Sequence, residues 1–207
     1  MLSTASQAAL GFRVHSGWAA SVAVVGPRGA PRVIDRRRLE LIDPKARGAQ
    51  QPYHAAKEMK LADAEAFLKR CSSATLATAT ASLRDLVSDL VNKGYKIAGA
   101  CILLGSGRPT GDLAATLRSH AMIHTAEGQF FRNALQNACE SCSVPLLGVK
   151  EKELLSRATD GIRIPTAELH QRISEIGKSI GPPWRQDEKL CTIAAWLMLA
   201  NSGVQLS

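Results

Sequence analysis

Gly11-Phe-Arg-Val-His-Ser-Gly-Trp-Ala-Ala-Ser-Val-Ala-Val-Val25 reads as two short strands, Gly11–His15 and Ala19–Val25, with Ser16-Gly17 available for a tight turn or bulge between them. After this hairpin, Gly26-Pro-Arg-Gly-Ala-Pro31 supplies turn chemistry. The next run, Arg32–Ile42, alternates: Ile34, Arg36, Arg38, Glu40 and Ile42 share one face, and Val33, Asp35, Arg37, Leu39 and Leu41 the other. Mixed charge of this kind suits an edge strand, where charged side chains discourage pairing with another chain. The chain is therefore expected to open with three antiparallel strands.

Asp43–Leu61 carries Pro44, Gly48 and Pro52 without a clear period, and is expected to be a surface connection. From Ala62 to Asn92 the residues Leu68, Cys71, Leu76, Ala79, Leu83, Leu86 and Leu90 recur at helical spacing, and Gly94 suits the left-handed cap after a helix. Lys96–Leu104 is short and almost wholly apolar, the pattern of a strand covered on both faces. Leu113, Leu117, Ala121, His124, Gly128, Phe131, Leu135, Ala138 and Cys142 predict one helical face, with a break near Ser119, and Val144–Lys150 predicts a fifth strand. Three helical pieces follow, about Lys150–Thr159, Thr166–Ser179 and Trp184–Ser202. The last begins after Pro182-Pro183 and is apolar all round from Leu190 to Ala200, as for a helix pressed between other elements.

This order of elements resembles the ribonuclease H-like superfamily. Two segments carry the likeness further. Gly11–Ala20 is similar to the first hairpin of the Holliday-junction resolvase branch, where a Gly-Ile-Asp segment precedes Gly and an aromatic. Asp187-Glu-Lys-Leu-Cys-Thr-Ile-Ala-Ala195 is similar to that branch's last helix, which begins with acids and continues into small apolar residues. The resemblance implies an α/β fold with a five-stranded mixed sheet flanked by helices. It implies one domain over 1–207, with the sheet core and two long helices in 9–150 and C-terminal helices in 151–207.

The family's enzymes hold two divalent ions between carboxylates from the first strand, the fourth strand and the last helix, because a phosphodiester transition state needs charge neutralised on both sides. Here Arg13 stands at the first-strand position, Ala98–Leu104 has no acid, and only Asp187 and Glu188 remain. A guanidinium there repels a divalent ion, so two-metal nuclease chemistry is not expected. The actin-like kinase branch shares this core, but Gly105-Ser-Gly107 is a weak phosphate-loop signal and reads better as a turn.

Three groups of residues remain as candidate sites. His120, His124 and Glu127 stand at i, i+4 and i+7 on one helix. They could hold a transition ion with Asp187 or His15 as a further ligand, in a relocated hydrolase site acting on phosphate esters; alternatively, His124 is a core histidine and His120 a surface one. Arg13, His15 and Lys189 could form a basic floor for an anion. Arg36 and Arg38, helped by Arg13, Arg108 or Lys57, could contact phosphates, although an edge strand explains Arg36-Arg37-Arg38 without a ligand. Gly181-Pro-Pro-Trp-Arg-Gln-Asp-Glu188 delivers Trp184 and two carboxylates to a helix start, and Tyr53-His54 is placed to overhang the same region. Cys139-x-x-Cys142 ends a helix without a second pair and reads as packing.

Charge is uneven. The formal net charge is +8, and residues 1–60 carry ten Lys and Arg against four Asp and Glu. That asymmetry is compatible with a phosphate backbone as partner, whereas the 4% aromatic content argues against stacking on single strands. An odd count of five cysteines in a chain large enough to bury a core predicts reduced thiols and a cytoplasmic location. The start of the chain lacks the pattern of a signal peptide, and no apolar run reaches membrane-spanning length. The expectation is a non-catalytic protein that binds nucleic acid or a protein partner.

Overall fold

Alternation along the first strand sets the layers of the molecule. In the computed structural model, which describes residues 6–107 and 111–202, β1 is Ser6–His15. Its Leu10 and Phe12 enter one hydrophobic cluster, whereas Gly11 lies against Cys191 and Arg13 bonds to Asp187 on the opposite face. Side chains on a strand change face at every residue, so a single strand serves both an apolar core and a polar site.

β2 (Trp18–Val25) and β3 (Arg32–Glu40) complete an antiparallel meander with β1. A short helix, α1 (Pro52–Ala56), interrupts what the sequence suggests is plain connection, with Pro52 at its start, where a missing N–H costs nothing. α2 (Leu61–Asn92) runs beneath the sheet to β4 (Tyr95–Leu104). α3 (Leu113–Arg118) and α4 (His120–Ser141) meet at Ser119, whose hydroxyl accepts from the Met122 amide and caps the second helix. β5 (Leu146–Lys150) follows. After a turn of 3-10 helix over Glu151–Glu153 come α5 (Leu154–Ile162), α6 (Thr166–Ile180) and α7 (Gln186–Ser202).

The strand order is β3-β2-β1-β4-β5, with β4 parallel to both β1 and β5. β3 is thus the edge strand its charges suggest. β1 and β4 sit centrally and are buried on both faces, which accounts for their apolar runs.

α2 and α4 cover one face, where Leu83, Leu86, Leu90, Phe131 and Leu135 pack on Leu10, Phe12 and Ile102. α5, α6 and α7 cover the other, around Trp196, Cys101, Leu103 and Val149. Burying each large apolar side chain contributes about 1.5–3 kcal/mol. α7 is buried at every position from Leu190 to Leu197, as its lack of a polar stripe requires. It approaches β1 so closely that a Cβ at Gly11 would stand 1.9 Å from the Cys191 carbonyl oxygen.

One sequence expectation needs correction here. Phe131, Leu135 and Ala138 of α4 are buried as the predicted face requires, but in its first turns the buried positions are Ile123, Ala126 and Glu127 rather than Ala121, His124 and Gly128. His124 is exposed and Glu127 is buried, so the reading of His124 as a core histidine does not hold.

Candidate functional site

The polar residues fall into two groups on opposite sides of the sheet. The first sits where β1 ends under the start of α7. Arg13 projects from the α7 face of the strand. Its Nη1 donates to Asp187 Oδ1 at 2.6 Å, while Nε and Nη2 donate to the two oxygens of Glu151 at 3.0 and 2.9 Å. His15, two residues on and on the same face, places Nε2 3.1 Å from the same Asp187 oxygen. The hairpin returns Trp18 beside it, and the His15 and Trp18 rings stack at 4.2 Å between centroids. Across β2, the Arg38 guanidinium lies 4.5 Å from the Trp18 ring centroid and pairs with Glu40. Glu151–Arg13–Asp187–His15–Trp18–Arg38 is therefore one continuous chain of contacts.

The electrostatics follow from these bonds. Hydrogen bonding to Glu151, opposed by burial and reinforced by Asp187, holds the Arg13 guanidinium above its usual pKa. Partial burial works against ionisation of Asp187, but the Arg13 hydrogen bond and the neighbouring His15 outweigh it, so its carboxyl lies below the usual range. Both groups are charged at neutral pH and neutralise each other.

The divalent ions that the ribonuclease H-like resemblance implies do not fit these residues. β4 contributes no acid. Glu188 turns back to accept the Arg185 amide at 2.7 Å, and the two carboxylates that do converge are taken by the guanidinium. Arg13 places its own positive charge between these two carboxylates.

Beside this network lies a groove of about 390 Å3, lined in part by Trp18, Arg36, Arg38, Pro183, Arg185 and Glu188. Arg36, expected as an anion contact, is engaged elsewhere: it donates to the carbonyls of Ile180, Gly181, Pro182 and Pro183, tying β3 to the α6–α7 connection. The carbonyls of Ile180 and Gly181 are among those that the end of α6 leaves open, and those of Pro182 and Pro183 belong to the connection itself. Lys189 is half-buried and forms no ion pair among the described residues, and Arg108 lies outside them.

The second group is on the α2–α4 side. His120 and His124 place their Nε2 atoms 3.0 Å apart. His54 of α1 joins them, with ligand nitrogens of all three within 4.8 Å of one another. Glu127 is not one of the trio. Its buried carboxylate receives His54 through the backbone amide at 3.1 Å and through Nδ1 at 2.9 Å.

Asp187, suggested as a partner of His120, His124 and Glu127, is held across the sheet by Arg13 and His15, so the four do not form one site. His54 of α1 likewise packs against α4, away from the helix start at Asp187. The sequence missed Glu151 and the placement of His54. Glu151 could have been suspected because it directly follows β5, and ends of parallel strands gather at one edge of a sheet.

No protein-family model and no curated protein matches the sequence. Solved structures do. RuvC of Thermus thermophilus in complex with a Holliday junction substrate superposes with a TM-score of 0.56 at 9% identity, covering 96% of this chain and 96% of that one. A second Thermus thermophilus RuvC structure gives 0.54 at 12% identity, covering 95% and 96%. The chain shares with these structures a ribonuclease H-like α/β fold, a five-stranded mixed sheet flanked by helices.

Proposed function

We propose that this chain is a nucleic-acid-binding domain that engages phosphate backbones on the α7 side of its sheet and does not cut them. The observation that carries this reading is the Arg13 guanidinium held between Asp187 and Glu151. A hydrolytic site of this fold needs its carboxylates free for cations, and here an internal cation has claimed them. What remains on that face suits binding: Trp18 and Arg38 stacked at the rim of the groove and Arg185 exposed beside them. The resemblance to a resolvase whose structure holds a Holliday junction favours branched DNA as the first ligand to try. Five free cysteines fit work in a reducing cytoplasm.

Phosphate contacts are read by salt. Each neutralised phosphate contributes a slope of about 0.9 in log affinity against log salt. Anisotropy titrations with a four-way junction, a duplex and a single strand across a salt series should show binding that weakens steeply with salt and is reduced by Arg38→Ala and Arg185→Ala. Incubation with Mg2+ or Mn2+ should leave every substrate whole. The reading fails if no DNA is retained at low salt, in which case a protein partner is the better occupant of the groove, or if cutting appears and Asp187→Asn abolishes it.

A further inference from the structure

We propose that His54, His120 and His124 bind one transition-metal dication of the zinc class, with Glu127 as the carboxylate that orients His54. Nothing in the groove on the other side of the sheet bears on this site.

The geometry is close to that of a bound ion. At metal–nitrogen bonds of about 2.0–2.1 Å, tetrahedral ligands stand roughly 3.3 Å apart. The Nε2 atoms of His120 and His124 are already at 3.0 Å, and the third imidazole nitrogen lies within 4.8 Å of both. The i, i+4 spacing on α4 provides the pair, and α1 delivers the third ring from a separate element: His54 stands 4.9 Å from His124 and 5.7 Å from His120 between centroids.

The surroundings of Glu127 point the same way. Nδ1 of His54 faces the Glu127 carboxylate, and with its proton on that nitrogen the lone pair of Nε2 is free for an ion. Ligand histidines commonly pass their other ring nitrogen to a carboxylate in this manner, which fixes ring and tautomer. Glu127 is only 4% exposed, and His54 is its sole salt-bridge partner among the described residues. A buried carboxylate needs compensating charge, and a dication held by His54 supplies it from the other side of the imidazole ring. His120 and His124 are exposed, so the fourth coordination place opens to solvent. The ion would fasten α1, in the connection after β3, to the first turns of α4.

The test uses the full chain stripped with a chelator and titrated calorimetrically with Zn2+, and in parallel with Co2+ followed by its visible absorption. One equivalent should bind, with a cobalt spectrum of a four-coordinate site and a rise in melting temperature. His54→Ala, His120→Ala and His124→Ala should each weaken binding at least 100-fold, and Glu127→Gln should weaken it about 10–100-fold. His170→Ala, which removes an exposed histidine on α6, should change nothing. The proposal is overturned if no stoichiometric binding occurs, or if one equivalent still binds with unchanged affinity in the His120→Ala/His124→Ala double variant. That variant alters two exposed side chains, so it decides the question even if Glu127→Gln does not fold.

Discussion

Nη1 of Arg13 and Oδ1 of Asp187 stand 2.6 Å apart, joining the middle of the sheet to the first turn of the last helix. Arg13→Ala removes this bond and the two to Glu151, leaving Glu151 without its guanidinium partner and Asp187 with His15 alone. The pair is partly exposed, at 26% and 23% of side-chain area, so solvent softens the loss. A destabilisation of about 1–2 kcal/mol is expected, read as a lower urea midpoint. Lysine at this position should recover only part of it, since an ammonium cannot fork between two carboxylates.

The same bond makes stability depend on acid. Asp187 titrates lower in the folded chain than its ordinary value, about 3.9 for a free aspartate. Its contribution is therefore fully present above that ordinary value and is lost as pH falls through the depressed one. Urea midpoints of the wild type and Asp187→Asn should differ at pH 7 and draw together as the pH falls below the ordinary carboxyl value. A gap that persists at pH 2 would show that the carboxylate charge is not what stabilises this junction.

Gly11 tolerates no side chain. A Cβ there would meet the Cys191 carbonyl oxygen at 1.9 Å and the Ala195 amide nitrogen at 2.8 Å, both backbone atoms of a helix buried on all sides. Gly11→Ala must lift α7 from the sheet, at a cost of about 3 kcal/mol or more. Thermal melting measures it directly, and unchanged melting would refute the contact.

Thiol reactivity should divide the cysteines. Burial pushes Cys101 and Cys139 up to about 12 and raises Cys191 further, leaving almost no thiolate at neutral pH. A disulfide reagent added to native protein should modify Cys71 and Cys142, which are half-buried, and reach all five only in denaturant. Rapid labelling of Cys139 would contradict its place in the core. Cys142 reaches toward the Thr80 carbonyl, a packing contact between the end of α4 and α2.

The architecture was legible because period and breaks do most of the specifying. The alternation of Arg32–Glu40, the apolar β4 and the stripeless α7 each have one comfortable environment, and the chain supplies it. The phase of α4 misled because Ala121 and His124 fit an apolar stripe on spacing alone, whereas a carboxylate can occupy the buried position if a histidine amide and ring receive it, as at Glu127. That Arg13 puts a guanidinium among the remaining acids was readable from charge. Its second acceptor, Glu151, 138 residues away in sequence, was passed over, although its place directly after β5 offered the one available signal. His54 offered no such signal: a five-residue helix after a proline carries too little pattern to reveal which neighbour it will lean on.

Leu10 and Phe12 facing one helical layer while Gly11 and Arg13 face the other makes β1 intolerant of a shift in phase. A single residue inserted between Ala9 and Leu10 would turn Phe12 toward the backbone of α7 and drive a guanidinium into the oily layer above α2 and α4. Substitutions at the polar end of this strand can be absorbed one by one; an insertion cannot, and length rather than identity is the property that any redesign of this segment has to keep.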